Sequence, residues 1–145
     1  MAYWDTAPVL KLYTLEHDSQ YFMTLAASAA EDIVTSAVSE VEMLSALYRK
    51  EHAGELRARG ASALCREFRA DCKEGRITLI PYSADVANEA ERLVTLAYGR
   101  PRPIMIRAID LIHAASAISA RAETIVTTDA RLREIARRAG LKLLP

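Results

Sequence analysis

Apolar residues follow two different rhythms in this chain. Five short runs, Ala2 to Trp4, Ile33 to Thr35, Ile77 to Ile80, Thr124 to Thr127 and Lys142 to Leu144, predict strands or strand edges. The longer stretches between them place apolar side chains three and four apart and predict helices. Helix punctuation agrees with that division. Gly75 and Gly140 each close a periodic run, Ser83 stands before the pattern Ala84 to Tyr98, and Pro101 and Pro103 interrupt the chain before the next helix.

Strands that alternate with helices must run parallel, and their crossovers are right-handed almost without exception. The expectation is therefore an α/β chain folded as a three-layer α/β/α sandwich around a parallel sheet of four or five strands. No linker composition, internal repeat or low-complexity tract divides residues 1–145, so one domain is expected. Ala114, Ala115, Ala117 and Ala120 are small enough to let their helix lie close on the sheet.

With 145 residues, 51% hydrophobic and 26% charged, the chain can bury one substantial core. Nineteen basic and nineteen acidic side chains cancel, which excludes a polybasic tail and a uniformly basic nucleic-acid binder. No apolar run reaches the roughly 18 residues of a membrane span. Met1 to Leu10 lack the basic and apolar segments of an export leader, so a soluble, cytoplasmic protein is expected. Cys65 and Cys72, seven apart in a helical pattern, read as reduced thiols and not as a disulfide or zinc framework.

In open parallel sheets a ligand crevice lies beyond the carboxyl ends of the strands. Asp5 ends the first strand, Glu42 lies in the first turns of the helix after Ile33 to Thr35, and Asp129 follows Thr124 to Thr127. Asp110 sits early in the helix after Pro101 and Pro103, where the helix terminus favours negative charge. Carboxylates converging in one crevice repel one another unless a cation neutralises them. Oxygen ligands without paired histidines or cysteines select magnesium or manganese, and magnesium commonly acts together with substrate phosphates. Phosphodiester chemistry follows as a hypothesis.

Each acid also has a structural reading. Asp5 and Asp129 precede helical runs, from Pro8 and from Ala130 to Ala139, and could be N-caps. Ser39 and Glu42 match the S-x-x-E capping box, a sufficient reason for that glutamate. Asp110 lies among Ile104, Ile106, Ile109, Leu111 and Ile112, where a carboxylate needs a partner or a metal. Glu40 and Glu42 flank the stripe Val41, Leu44 and Tyr48 from opposite sides, and periodicity does not choose between them. His113, on the face of Asp110, reads as a hydrogen-bonded packing residue outside the catalytic set.

No phosphate-binding loop, dinucleotide fingerprint, nucleophile elbow or H-E-x-x-H motif is present. Charge is nevertheless uneven. From Arg100 onward nine basic residues face four acidic ones, or +5, and the first 99 residues carry ten against fifteen, or −5. Arg100, Arg102 and Arg107 lie before the Asp110 helix, and Arg131 and Arg133 follow Asp129, so they could hold phosphates beside a metal. Arg102 and Arg107 fit a solvated helix face equally well. Arg137 and Arg138 are explained by the helix dipole alone.

The segments YWDTAPVLKLY, TSAVSEVEMLSAL, IRAIDLIHAASAI and IVTTDARLREIARRAGLKLL, in this order and spacing, resemble the PIN-domain family, especially the VapC-type toxin ribonucleases. The likeness covers nearly the whole chain, and its specificity comes from four acidic motifs in register. It places the family's acids on Asp5, Glu42 in preference to Glu40, Asp110 and Asp129. The resemblance implies a magnesium- or manganese-dependent endoribonuclease, a homodimer, and in toxin members a cognate antitoxin that folds against the active-site groove. Thr6 and Thr127 match hydroxyl residues that would orient the carboxylates. Ala7 stands where the family commonly has a serine or asparagine, so its side chain supplies no hydrogen bond beside Asp5.

The expected activity is hydrolysis of RNA phosphodiester bonds, with Asp5, Glu42, Asp110 and Asp129 holding one or two divalent ions. Because water is the nucleophile, the 2′-hydroxyl has no chemical part, and preference for RNA rests on the likeness. The rival readings are a catalytically inactive PIN-like binding domain and a DNA-directed nuclease.

Overall fold

The computed structural model describes residues 1–28, 32–99 and 101–145. Among these, five strands, β1 (Ala2–Trp4), β2 (Ile33–Ser36), β3 (Ile77–Ile80), β4 (Thr124–Val126) and β5 (Lys142–Leu144), form one parallel sheet ordered β3-β2-β1-β4-β5. The intervening helices are α1 (Thr6–Leu10), α2 (Ser19–Ser28), α3 (Ser39–His52), α4 (Gly60–Lys73), α5 (Ala84–Tyr98), α6 (Ala108–Ser119) and α7 (Ala130–Arg138). The expected three-layer α/β/α arrangement is what the chain adopts.

Two-residue alternation along the strands divides the core. Tyr3 and Ile125 point to the face covered by α5, α6 and α7, where they meet Val86, Leu93, Leu111, Leu132 and Ile135. Trp4 and Val126 point to the opposite face and pack with Val9, Phe22, Met43, Leu47 and Phe68 from α1 to α4. On the first face Ala114, Ala115 and Ala117 of α6 are fully buried, as their size predicts, and α6 packs on β2 and α5. Gly75 and Gly140, at φ 81° and 90°, end α4 and α7 in the left-handed conformation. In each case the following N–H returns to the last turn, Arg76 to Asp71 at 3.0 Å and Leu141 to Ala136 at 2.9 Å.

Two sequence expectations change. The helix expected from Pro8 begins at Thr6, because Asp5 accepts the Thr6 N–H and a proline in a first turn removes an N–H that has no intrahelical partner anyway. α4 starts at Gly60, after Gly54 at φ 79° has turned the chain. On α3 the stripe Val41 and Tyr48 faces solvent, and the i, i+4 ridge Ser39, Met43 and Leu47 is buried instead. Both stripes are apolar enough to be the inner one, and only the packing of α4 and α1 against α3 selects the second. The capping box is also absent, since Ser39 and Glu42 direct their side chains away from the α3 backbone ends. Arg100, named in the expectations above, lies outside the described residues.

The central position of β1 organises everything functional. The chain runs from β1 outward through β2 and β3, then crosses to β4 and β5 on the other side, so a crevice opens where β1 and β4 end side by side. The Asp5 N–H donates to Val126 O at 3.0 Å and fixes the first acid at that rim. Cys65 and Cys72 are free thiols on α4, and burial pushes Cys72 up to about 11.

Ala115→Leu, between α6 and its neighbours, is expected to lower the unfolding free energy by about 1–3 kcal/mol through overpacking. Val41→Ala on the exposed stripe is expected to change it by less than about 0.5 kcal/mol. Urea denaturation of both variants measures the contrast, and equal effects would contradict the burial assignment.

Candidate active site

A cleft of about 370 Å³ opens at the carboxyl rim, lined by Asp5, Thr6, Ala7, Leu10, Glu42, Ala46, Arg49, Arg107, Asp110, Thr128 and Asp129. Four acids separated by as many as 124 positions thus share one cavity. Each arrives on a different element: Asp5 after β1, Glu42 in the first turn of α3, Asp110 in the first turn of α6, and Asp129 before α7.

Asp5 is both cap and site residue. Its Oδ1 accepts the Thr6 N–H at 2.8 Å and its Oδ2 accepts the Thr127 hydroxyl at 2.7 Å. Thr127 Oγ1 in turn accepts the Asp129 N–H at 3.1 Å, tying the first and fourth acids together. Asp129 divides its oxygens: Oδ1 caps α7 by accepting from Arg131 and Leu132 N–H, both at 2.9 Å, while Oδ2 faces Arg107 at 3.9 Å. The capping reading and the site reading therefore both describe Asp5 and Asp129.

Glu42 turns into the cleft, whereas Glu40 is exposed. Glu42 Oε2 accepts the Thr6 hydroxyl at 2.5 Å and the His113 Nε2 at 2.7 Å. The Ser39 hydroxyl, 2.8 Å from both Thr6 Oγ1 and Thr35 Oγ1, extends this hydroxyl chain into the protein. The Asp110 carboxylate, 5% exposed, finds the partner its setting demands: Arg107 donates from Nε at 2.9 Å and from Nη2 at 2.8 Å, a bidentate pair.

Titration behaviour follows from these contacts. Burial pushes the Asp5 carboxyl up from its ordinary value, against the pull of His113, Thr127 and Thr6, and the Glu42 charge adds to the rise. Burial also raises Glu42, but hydrogen bonds from His113 and Thr6 outweigh it and hold that carboxyl below its ordinary range. For His113 burial disfavours the charge, yet Glu42 and Asp5 together prevail and raise it. Tyr3, whose hydroxyl lies 2.7 Å from His113 Nδ1, is pushed upward by burial and keeps its proton.

His113 is the hydrogen-bonded packing residue that the sequence suggests, 1% exposed, and it also contacts two of the four acids, Glu42 Oε2 at 2.7 Å and Asp5 Oδ1 at 3.7 Å. The i, i+3 spacing from Asp110 was the available signal, but nothing local reveals that the imidazole meets Glu42 from 71 positions away. Arg49 was not considered, although it shares the Glu42 and Ala46 face of α3 by helical spacing. Arg107 lines the cleft. Arg102 does not. It lies in a separate hollow with Glu134 and Arg138, and its carbonyl accepts from Arg138 at 3.2 Å. Arg131 is exposed, Arg133 donates to Thr127 O at 3.0 Å, and Arg137 and Arg138 pair with Glu134.

The donor set suits a hard divalent cation: four carboxylates and two threonine hydroxyls, one acid raised by burial, and Glu42 Oε1 and Asp129 Oδ2 accepting no hydrogen bond from the described residues. Among the described residues, however, no three acidic, histidine or cysteine groups already converge as a metal-binding group. Arg107 supplies positive charge to Asp110 and Asp129 instead.

A family model described as PIN domain matches residues 2–138. No curated protein matches the chain. Among solved structures, the chain resembles one of VapBC2 from Rickettsia felis bound to a promoter DNA fragment, at TM-score 0.70 and 21% identity over 99% of this chain and 98% of that one. It also resembles FitAcB from Neisseria gonorrhoeae, at TM-score 0.67 and 19% identity over 100% and 97%. A toxin-antitoxin complex from Klebsiella pneumoniae matches at TM-score 0.62 and 17% identity over 100% and 97%. At these identities the likeness shows a shared fold.

The raised Asp5 carboxyl gives a signed prediction. A carboxyl raised in the folded state stabilises below its unfolded value, here 3.8, and loses that contribution as pH rises through the folded value. Metal-free Asp5→Asn, which does not titrate, should therefore gain stability relative to the parent as pH rises from about 4 to 7. Urea denaturation in chelator at both pH values checks this. A gain that shrinks with pH would show the carboxylate to be stabilised by its site.

Proposed function

The chain belongs to the PIN domain family, and on that premise we propose that it is a divalent-metal-dependent endoribonuclease that hydrolyses RNA phosphodiester bonds. Members of this family are generally nucleases that use divalent ions. The observation that carries the reading is the meeting of Asp5, Glu42, Asp110 and Asp129 around one cleft at the carboxyl rim.

In this reading the four carboxylates hold one or two magnesium or manganese ions. Such an ion, if bound there, would supply the Lewis-acid charge that makes water nucleophilic toward a phosphodiester and stabilises a departing oxygen. Thr127 and the Thr6 N–H fix the Asp5 oxygens, and Thr6 with His113 fixes one oxygen of Glu42, so these carboxylates need little reorganisation. Arg49 and Arg107 bring positive charge to the cleft, where a polyanionic backbone would lie. Ala7 faces the same cleft without a polar side chain. No protein group need act as general base.

The toxin role, a cognate antitoxin and a homodimer belong to the same proposal. Their support is the fold shared with the toxin of the Klebsiella pneumoniae toxin-antitoxin complex and with VapBC2. Among the described residues no helix is long and apolar enough to cross a membrane.

Asp110→Asn and Asp5→Asn are expected to reduce manganese-dependent cleavage of single-stranded RNA by at least about 100-fold, and Thr127→Val by about 10–100-fold. Competing labelled RNA and DNA in one reaction measures substrate class. Cleavage that survives Asp110→Asn in a folded protein would refute the assignment, and preferential DNA cleavage would replace RNA as the substrate. A parent protein that neither cleaves nor gains thermal stability with manganese would support the binding-domain reading.

A further inference from the structure

Resting on the metal-dependent reading above, we propose that Arg107 is an exchangeable internal counter-ion. Its guanidinium holds Asp110 and Asp129 in place of a divalent cation and moves to the substrate phosphate when the cation arrives. The geometry carries the argument. Arg107 makes a two-bond fork to Asp110, at 2.9 and 2.8 Å, and its Nη2 stands 3.9 Å from Asp129 Oδ2. One guanidinium thus offsets two of the four acids, neither of whose carboxylate oxygens accepts a hydrogen bond from His113 or Thr127.

A cation that takes Asp110 and Asp129 would face the guanidinium at contact distance, and the repulsion expels one of them. Arg107 is built to be the one that leaves. Its side chain is 64% exposed while that of Asp110 is 5% exposed, so the fork is anchored only at its tip. The residue precedes α6 in extended backbone, φ −79° and ψ 151°, and makes no side-chain cap that would hold it. Swinging outward therefore disturbs no core packing and exposes a planar donor pair suited to phosphate. His113 cannot exchange in this way, being buried between Tyr3 and Glu42.

The test is calorimetric titration of manganese into Arg107→Gln, Arg107→Lys and the parent protein at low ionic strength, with thermal melting of each in chelator. Arg107→Gln is expected to bind manganese about tenfold more tightly than the parent, to melt lower without metal, and to show a raised KM for RNA. Arg107→Lys, which keeps the charge, should stay close to the parent in manganese affinity and lose the phosphate fork, with a raised KM. Unchanged or weaker manganese binding in a folded Arg107→Gln, when the parent binds and Asp110→Asn does not, overturns the counter-ion role and leaves the metal-dependent reading standing. Failure of the parent itself to bind manganese overturns both.

Discussion

Negative charge that cannot be diluted by water sets the terms for this molecule. Asp5 is held at the end of the central strand by backbone pairing with β4, largely out of solvent, and three other carboxylates are delivered to the same rim by the topology of the sheet. Ordinary folding would avoid such a cluster, because each added carboxylate makes the others harder to ionise. The surrounding structure is best understood as a set of partial answers to that repulsion.

Those answers divide the cleft into two parts. One is rigid: Tyr3, His113, Thr6, Ser39 and Thr127 form a buried network that fixes the oxygens of Asp5 and Glu42. A network of this kind holds geometry well, since each member is already satisfied and has nowhere else to turn. The other part is the Arg107 fork, largely in solvent, which neutralises Asp110 and Asp129 without packing. Stability and function pull in opposite directions at such a rim, and a mobile cation on one side reconciles them.

Much of this was legible in the chain before any coordinates. All five strands, the span of α5 and the glycine ends of α4 and α7 could be read from period and punctuation, because each depends on contacts within a few residues. Asp5, Glu42 and Asp129 were legible as residues at or just after strand ends and Asp110 as a carboxylate in an apolar helical pattern, and the family likeness chose Glu42 over Glu40. What failed was local reasoning about side chains with two plausible partners. Ser39 and Glu42 fit a capping box in sequence, yet Thr6 and His113 compete for them and win in the fold.

The sequence, then, settled what short-range forces settle: which segments are extended, which are helical, where helices stop, and which acids stand beyond strand ends. Tertiary structure alone decided that β1 lies between β2 and β4, that Glu42 meets a histidine from α6, and that Arg107 faces the acids while Arg102 turns away. The division has a simple origin. Backbone preferences and hydrophobic period act within a turn or two, whereas charge neutralisation acts between groups that only the packed sheet brings together.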